Sequence, residues 1–291
     1  MLSPFAASNP GAAQPETAMP EIDKPFLDVL EAAALAAGEA IMDIYRAGVR
    51  VDVKADLSPV TEADRRAEAV ILAALAAHYP DIPVIAEESV SAGTVPDISG
   101  GTFFLVDPLD GTREFIAARD EFTVNIALVS GGVPRAGIVY APARNVGYIA
   151  GGGRAERFET DGTATVTARR SIACRPCPRQ VVAVGSRSHD TPETARFLAE
   201  HGIEDTCPIG SSLKFCLVAE GTADLSPRFG RTMEWDTAAG DAVLRAAGGE
   251  TRTLDGHPLA YGKRGQAQDA DFANPHFIAA GPGWRERAPG S

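Results

Sequence analysis

The stretch "FFLVDPLDGT", residues 103–112, decides how the rest of the chain is read. An apolar run ends in Asp107, Pro108, Leu109, Asp110, Gly111 and Thr112. Residues three apart in a continuing strand point to opposite faces. Proline cannot donate to a strand ladder, so the chain is expected to leave the strand as a turn at Pro108. A turn can bring both acids to one side and expose the Leu109 carbonyl. Gly111 then permits close approach of the backbone to a ligand, and Thr112 offers a hydroxyl. Taken alone, an Asp-x-x-Asp-Gly pattern is most often a surface turn. Three readings are therefore open at this point: metal ligands, a phosphoryl carrier, or a plain turn.

Other acids stand at predicted element ends. They are Glu87, with Glu88, in "VIAEES", Asp236 in "EWDTAAGD" and Asp64 in "SPVTEAD". Each has a plain alternative: a solvated strand end for Glu87, a helix N-cap behind Trp235 for Asp236, and a capping box Thr61-x-x-Asp64 for Asp64. Gathered together, such carboxylates repel one another unless a cation compensates them. An oxygen-only set without histidine or cysteine favours a hard ion such as Mg²⁺ over zinc.

The chain has 291 residues, 45% hydrophobic and 23% charged, with a formal net charge of −12. That balance disfavours non-specific binding to nucleic acid or anionic membranes. It does not exclude a phosphorylated substrate, since a bound cation reverses the local field. No apolar run approaches the roughly 18 residues of a membrane span. Four cysteines are too few and scattered for a disulfide scaffold. Cys174 and Cys177 form a lone C-x-x-C, read as a loop in a reducing cytoplasm rather than a zinc or redox site. Residues 1–20 read as a disordered leader, with Met19 an alternative start.

Periodicity predicts helices over 24–48 (Phe26, Leu30, Ala34, Ile41, Ile44 and Tyr45 inward) and over 61–79. "IPVIAEES" and "TFFLVD" read as short buried strands ending in acids, and "FTVNIALVSGG", "PRAGIVYAP" and "VGYIAGGG" as an antiparallel meander. Beyond residue 155 strands alternate with helices: "QVVAVGSRS", "TPETARFLAEHG", "SSLKFCLVAEG", "WDTAAGDAVLRAAGG" and "FIAAG". The expected organisation is an N-terminal α+β subdomain over 21–155 and a C-terminal α/β subdomain over 156–291.

The haloacid-dehalogenase-like phosphatases use Asp-x-Asp-Gly-Thr after a strand, with the first aspartate as nucleophile. Here the acids are one residue further apart, which misplaces the second one.

In order, "AEES", "VDPLDGT" and "EWDTAAGDAV", spread over about 150 residues, resemble the signatures of the inositol monophosphatase superfamily of Mg²⁺-dependent, Li⁺-sensitive phosphatases. Within it, "DLSPVTEAD", "DPLDGTREFI", "EFTVNIALV", "GIVYAPARNVGY", "SRSH", "GSSLKFCLVAEGTADLSPRFG" and "WDTAAGDAV" are most similar to its bisphosphate-nucleotidase branch. The resemblance covers roughly residues 25–280. It implies a layered α-β-α-β-α fold of two subdomains with the site between them. It implies that Glu87, Asp107, Asp110, Asp236 and the main-chain oxygen of Leu109 hold two or three Mg²⁺ ions. Asp64, Thr112 and Glu87 would activate water, while Gly111, Thr112, His189, Ser211, Lys214, Arg228 and Asp236 would contact the substrate. That substrate would be 3′-phosphoadenosine 5′-phosphate and its phosphosulfate form, hydrolysed at the 3′-phosphate in sulfur metabolism, in the cytoplasm, by a monomer or homodimer. The alternatives are an inositol-monophosphate or other small phosphate-ester phosphatase, and a non-catalytic phosphometabolite-binding protein. Departures from relatives are Arg113, Phe104 and Asp241, the last expected to add negative charge near the substrate.

Overall fold

Asp23 starts the first long helix by accepting a hydrogen bond from the Phe26 N–H at 3.0 Å, with Pro25 in the first turn where no N–H is needed. The computed structural model describes residues 16–48, 51–53, 59–186 and 191–284. His189 and most of the expected leader lie outside them. Helix α1 (Lys24–Ala47) buries Phe26, Leu30, Ala34 and Ile41 as the periodicity requires, with Ile44 and Tyr45 partly buried. A short hairpin, β1 (Val51–Val53) and β2 (Pro59–Thr61), leads into α2 (Glu62–His78). Thr61 and Asp64 form the capping box expected there, an arrangement that typically stabilises a helix start by about 1 kcal/mol.

Next come β3 (Val84–Ala86), α3 (Glu87–Ser91), β4 (Thr102–Asp110), α4 (Thr112–Ile116), β5 (Thr123–Ser130), β6 (Val133–Ala141), β7 (Val146–Gly151), β8 (Arg154–Thr160) and β9 (Val166–Ser171). These strands form a seven-stranded sheet in sequence order, antiparallel except for the β3–β4 pair. The expected meander is present and runs on through Ser171, so a division at 155/156 falls inside this sheet.

The remaining elements are β10 (Val182–Ser186), α5 (Pro192–Glu200), β11 (Asp205–Ile209), α6 (Leu213–Ala219), β12 (Leu225–Arg228), α7 (Ala238–Ala246), β13 (Glu250–Thr253) and β14 (Phe277–Ala280). Their strands make a mixed sheet of order β11-β10-β12-β14-β13. Helices α1 and α2 cover one face of the larger sheet around Phe26, Phe104 and Ile138. Helices α6 and α7 fill the space between the two sheets, packing Phe215, Val243 and Leu244 with Leu105, Val139 and Phe277. On the outer side Phe197 and Leu198 of α5 pack with Ala183 and Leu225. The result is the α-β-α-β-α layering. Burying side chains of this size contributes about 1.5–3 kcal/mol each.

The end of β4 differs from expectation in a way that serves the site. The strand does not stop at Pro108 but continues to Asp110, with a shift of register. Asp107 pairs with Asn125 and Asp110 with Thr123, so three steps on β4 (110 − 107) oppose two on β5 (125 − 123). One extra residue is a β-bulge, and the proline sits where no ladder donor is needed. Partners two apart on β5 share a face. The bulge therefore turns Asp107 and Asp110, which a regular strand would send to opposite faces, toward the same side.

Helix α7 lies close against β6 at Gly137, where an added Cβ would meet the backbone Cα and O of Ala239, both at 2.9 Å. Backbone cannot swing aside as a side chain can. Gly137→Ala is expected to destabilise the fold by about 1–3 kcal/mol, read as a lower midpoint in chemical denaturation. An unchanged midpoint would contradict this packing.

Candidate active site

The site is assembled at the ends of six segments. From the larger sheet come the β4 bulge and the turn after it. Gly111 holds φ 94°, the left-handed region, and starts α4. An added Cβ there would stand 3.0 Å from the Glu121 carbonyl, so both conformation and space call for glycine. Thr112 Oγ lies 3.3 Å from Asp64 Oδ1 and 3.3 Å from the Leu109 carbonyl. Asp64 Oδ2 accepts from the Thr61 N–H at 2.7 Å and from Thr61 Oγ at 2.6 Å. The capping role and the site position of Asp64 are thus not alternatives. One oxygen caps α2 while the other faces Thr112.

Glu87 is not part of a strand. It directly follows the last residue of β3, as the first residue of α3, and Glu68 of α2 fixes that helix start. The Glu68 carboxylate accepts from the Glu88 N–H at 2.8 Å and from Ser89 Oγ at 2.6 Å. Asp236 is not a helix N-cap either. Thr237 holds that position, and Asp236 Oδ2 accepts from the Met233 N–H at 2.8 Å in the turn before α7. From the second sheet, Ser211 and Lys214 stand at the start of α6 and Arg228 at the end of β12. Ser211 is a non-glycine residue at φ 52°, in a loop tied down where Glu121 accepts from the Gly210 N–H at 2.8 Å. Glu87, Asp110, Gly111, Thr112, Ser211, Lys214, Arg228 and Asp236 line one cavity of about 270 Å³. Asp64, Asp107 and Leu109 are buried and do not line it.

Burial pushes the Asp107 carboxyl well above its ordinary value, and the charges of Glu87, Asp110 and Asp236 push it further. Asp236 is raised well above its ordinary value by burial and then by Asp110 and Glu87. Asp110 is raised by burial, with Lys214 opposing the shift. Lys214 in turn is lowered by burial, and its Nζ donates to the Ser211 carbonyl at 2.6 Å. The acids thus sense one another's charge. Even so, among the described residues no three acidic, histidine or cysteine side chains already stand in a cation-holding arrangement. Each of these carboxylates has a partner within the protein: Asp107 Oδ1 accepts from the Leu109 N–H at 3.0 Å, Asp110 Oδ2 from Ser212 Oγ at 3.0 Å, and Asp236 Oδ2 from the Met233 N–H at 2.8 Å. Oxygen-only, buried and mutually repelling donors fit a hard divalent cation, whose charge would draw them the remaining distance.

One sequence expectation changes here, and the site gains two residues. Asp241 does not face the cavity. It is fully buried, bonded to Arg245 Nε at 2.9 Å and to the Tyr261 hydroxyl at 3.0 Å. Burial pushes the Cys174 thiol up to about 11, opposite to what a reactive thiol requires, and none of the four cysteines forms a disulfide. Glu114 and Arg231 also line the cavity, and sequence reasoning passed over both. The "GTREF" segment carried the first directly after the metal-loop motif, whereas Arg231 stood in no recognisable pattern. No helix among the described residues is long and apolar enough to cross a membrane.

Residues 23–280 match the inositol monophosphatase family. The chain is 46% identical over 254 residues to the 3′(2′),5′-bisphosphate nucleotidase CysQ of Escherichia coli K12, covering 87% of this chain and 98% of that one. The solved structure of CysQ from Bacteroides thetaiotaomicron, a bacterial member of the same family, superposes with a TM-score of 0.71 at 38% identity, over 89% of this chain and 97% of that one. An inositol monophosphatase from Zymomonas mobilis gives a TM-score of 0.68 at 27% identity, over 88% and 92%. The chain belongs to the inositol monophosphatase family. Members of that family are in general metal-dependent.

An aspartate ordinarily titrates at 3.8, and a folded value raised above it means the native state holds protons that the unfolded chain has lost. Stability from such a group is present at low pH and lost as pH rises through the raised value. At neutral pH without divalent cations Asp107 therefore works against folding. Asp107→Asn, in EDTA at pH 7, is expected to raise the unfolding free energy, read as a higher midpoint in chemical denaturation. A drop in stability would refute the charge argument.

Proposed function

We propose that the chain is a Mg²⁺-dependent 3′(2′),5′-bisphosphate nucleotidase that releases the 3′-phosphate of 3′-phosphoadenosine 5′-phosphate to give AMP. The observation that carries this reading is one cavity with two electrostatic components. Glu87, Asp110 and Asp236 line it together with Lys214 and Arg228. A substrate with two phosphates matches such a lining: one phosphate goes to the cation-bearing acids and the other to the basic side chains. The 46% identity to a bisphosphate nucleotidase over 87% of the chain supports the same substrate class.

Glu87, Asp107, Asp110, Asp236 and the Leu109 carbonyl would hold the Mg²⁺, which when bound neutralises phosphate charge and makes a coordinated water more acidic. The chain's own residues supply orientation and a path for the proton. Thr112 Oγ has one hydrogen and two lone pairs. When that hydrogen points to Asp64 Oδ1, 3.3 Å away, a lone pair faces the cavity and accepts from the attacking water. Asp64 keeps its orientation through the two bonds from Thr61. Gly111 leaves the backbone close enough for its turn to border the phosphate. Lys214 and Arg228 bind the second phosphate, and Ser211 sits beside them in its strained turn. Overall a water O–H bond and the phosphorus–O3′ bond break, a new phosphorus–oxygen bond forms, and the 3′-oxygen leaves protonated. Positioning and electrostatics supply most of such a reaction, and no covalent phosphoenzyme is required.

The test is phosphate release from 3′-phosphoadenosine 5′-phosphate compared with inositol 1-phosphate, both with Mg²⁺. The bisphosphate is expected to react with the higher kcat/KM. Faster hydrolysis of the inositol ester would overturn the substrate assignment. Thr112→Ala is expected to lower kcat by about 10²–10³-fold, as loss of a proton-handling group does, and an unchanged kcat would remove Thr112 from the mechanism.

A further inference from the structure

Beside the cavity lies a hydrogen-bonded pair, Asn125 and Ser212, to which the sequence reading gave no role. Ser212, the residue ahead of α6, is buried, and its hydroxyl has neighbours from three elements. They are Asn125 Nδ2 at 2.9 Å, Asp110 Oδ2 at 3.0 Å and the Asp236 main-chain oxygen at 2.6 Å. A hydroxyl carries one proton. Because Asn125 donates to Oγ, that proton is shared between the Asp110 carboxylate and the Asp236 carbonyl. Asn125 is itself fully buried and stands opposite Asp107 in the β4–β5 register, which puts both side chains on one face of the sheet. Its Oδ1 is buried with no partner among the described residues. Thr123, opposite Asp110, presents a second buried oxygen in the same condition. The strand beneath the acids thus carries polar side chains at the two positions where an apolar pair would pack more simply.

We propose that Asn125 and Ser212 are positioning residues for the cation cluster: Ser212 Oγ ties the Asp110 carboxylate to the Asp236 backbone, and Asn125 holds that hydroxyl in the orientation that lets it do so. Asp110 arrives from the larger sheet and Asp236 from the turn before α7, and the Ser212 hydroxyl is a direct bridge between the two. Ser212 and Asn125 do not line the cavity, so they act through the acids and not on the substrate. This inference rests on the reading that those acids hold Mg²⁺.

The experiment follows thermal-unfolding midpoints of the full-length protein across a MgCl₂ series, without substrate. Ser212→Ala and Asn125→Ala are each expected to raise the half-effect Mg²⁺ concentration about tenfold, the size of effect usual for residues that orient metal ligands. The double variant should move no further than the larger single one, because both act through one hydroxyl. Ser212→Thr, which keeps the hydroxyl, should stay near the parent. A merely structural role would lower the midpoint at every Mg²⁺ concentration and leave the half-effect concentration in place. That result for both single variants overturns the proposal. Asp110→Asn separates the two levels of the argument. If it abolishes the Mg²⁺-dependent rise while the Ser212 and Asn125 variants match the parent, only the positioning role falls. If it leaves the rise intact, the ligand reading falls and this proposal with it.

Discussion

Asp107 stands in the interior of a sheet with Glu87, Asp110 and Asp236 near enough to raise its pKa, and a single N–H from Leu109 offsets part of that. Burying one carboxylate is unfavourable, and burying several within reach of one another is more so. A fold selected for stability alone would place apolar side chains here. The surrounding architecture is best understood as the means of holding these acids in place. The β4 bulge turns Asp107 and Asp110 to one side. Glu68 pins the start of α3 and with it Glu87. The turn before α7 carries Asp236, and α7 is pressed against β6 by the contact at Gly137.

The cavity above the acids belongs to both sheets. Its acidic wall comes largely from β4, the start of α3 and the turn before α7. Its basic side chains come from α6 (Lys214), from the end of β12 and the turn after it (Arg228 and Arg231), and from α4 (Arg113). Because α6 and α7 are the layer shared by the two sheets, motion of one sheet relative to the other would change the distance between acids and bases. The Ser212 hydroxyl bridges that layer to β4 at hydrogen-bond length. Lys214 shows the same coupling electrostatically, since it opposes the upward shift of Asp110.

Much of this was legible in the sequence, for identifiable reasons. Helix α1 shows its apolar spacing, and the Thr61–Asp64 cap shows its residue types, because both are local. "DPLDGT" was legible as a site because a proline, a glycine and two acids leave few structural options. Its form was not, since a turn and a bulge accommodate Pro108 equally well, and only pairing with β5 decides between them. Glu87 and Asp236 both line the cavity, Glu87 directly after β3 as the first residue of α3 and Asp236 one residue ahead of the α7 N-cap, boundaries that depend on packing. Asp241 was misread outright. Five residues from Asp236 it resembled a site residue, yet its partner Tyr261 lies 20 positions further on. Asn125 and Ser212 are 87 positions apart and each is ordinary in its own context. Nothing short of the fold brings them together.

The central claim is that the buried acids oppose folding when ionised and that a divalent cation removes this opposition. The most direct measurement is the unfolding free energy between pH 4 and pH 8, in EDTA and in saturating Mg²⁺. The account predicts that stability in EDTA falls with rising pH relative to stability in Mg²⁺, so that the gap between the two curves widens toward neutral pH. Two curves separated by a constant amount, or superimposed, would contradict it.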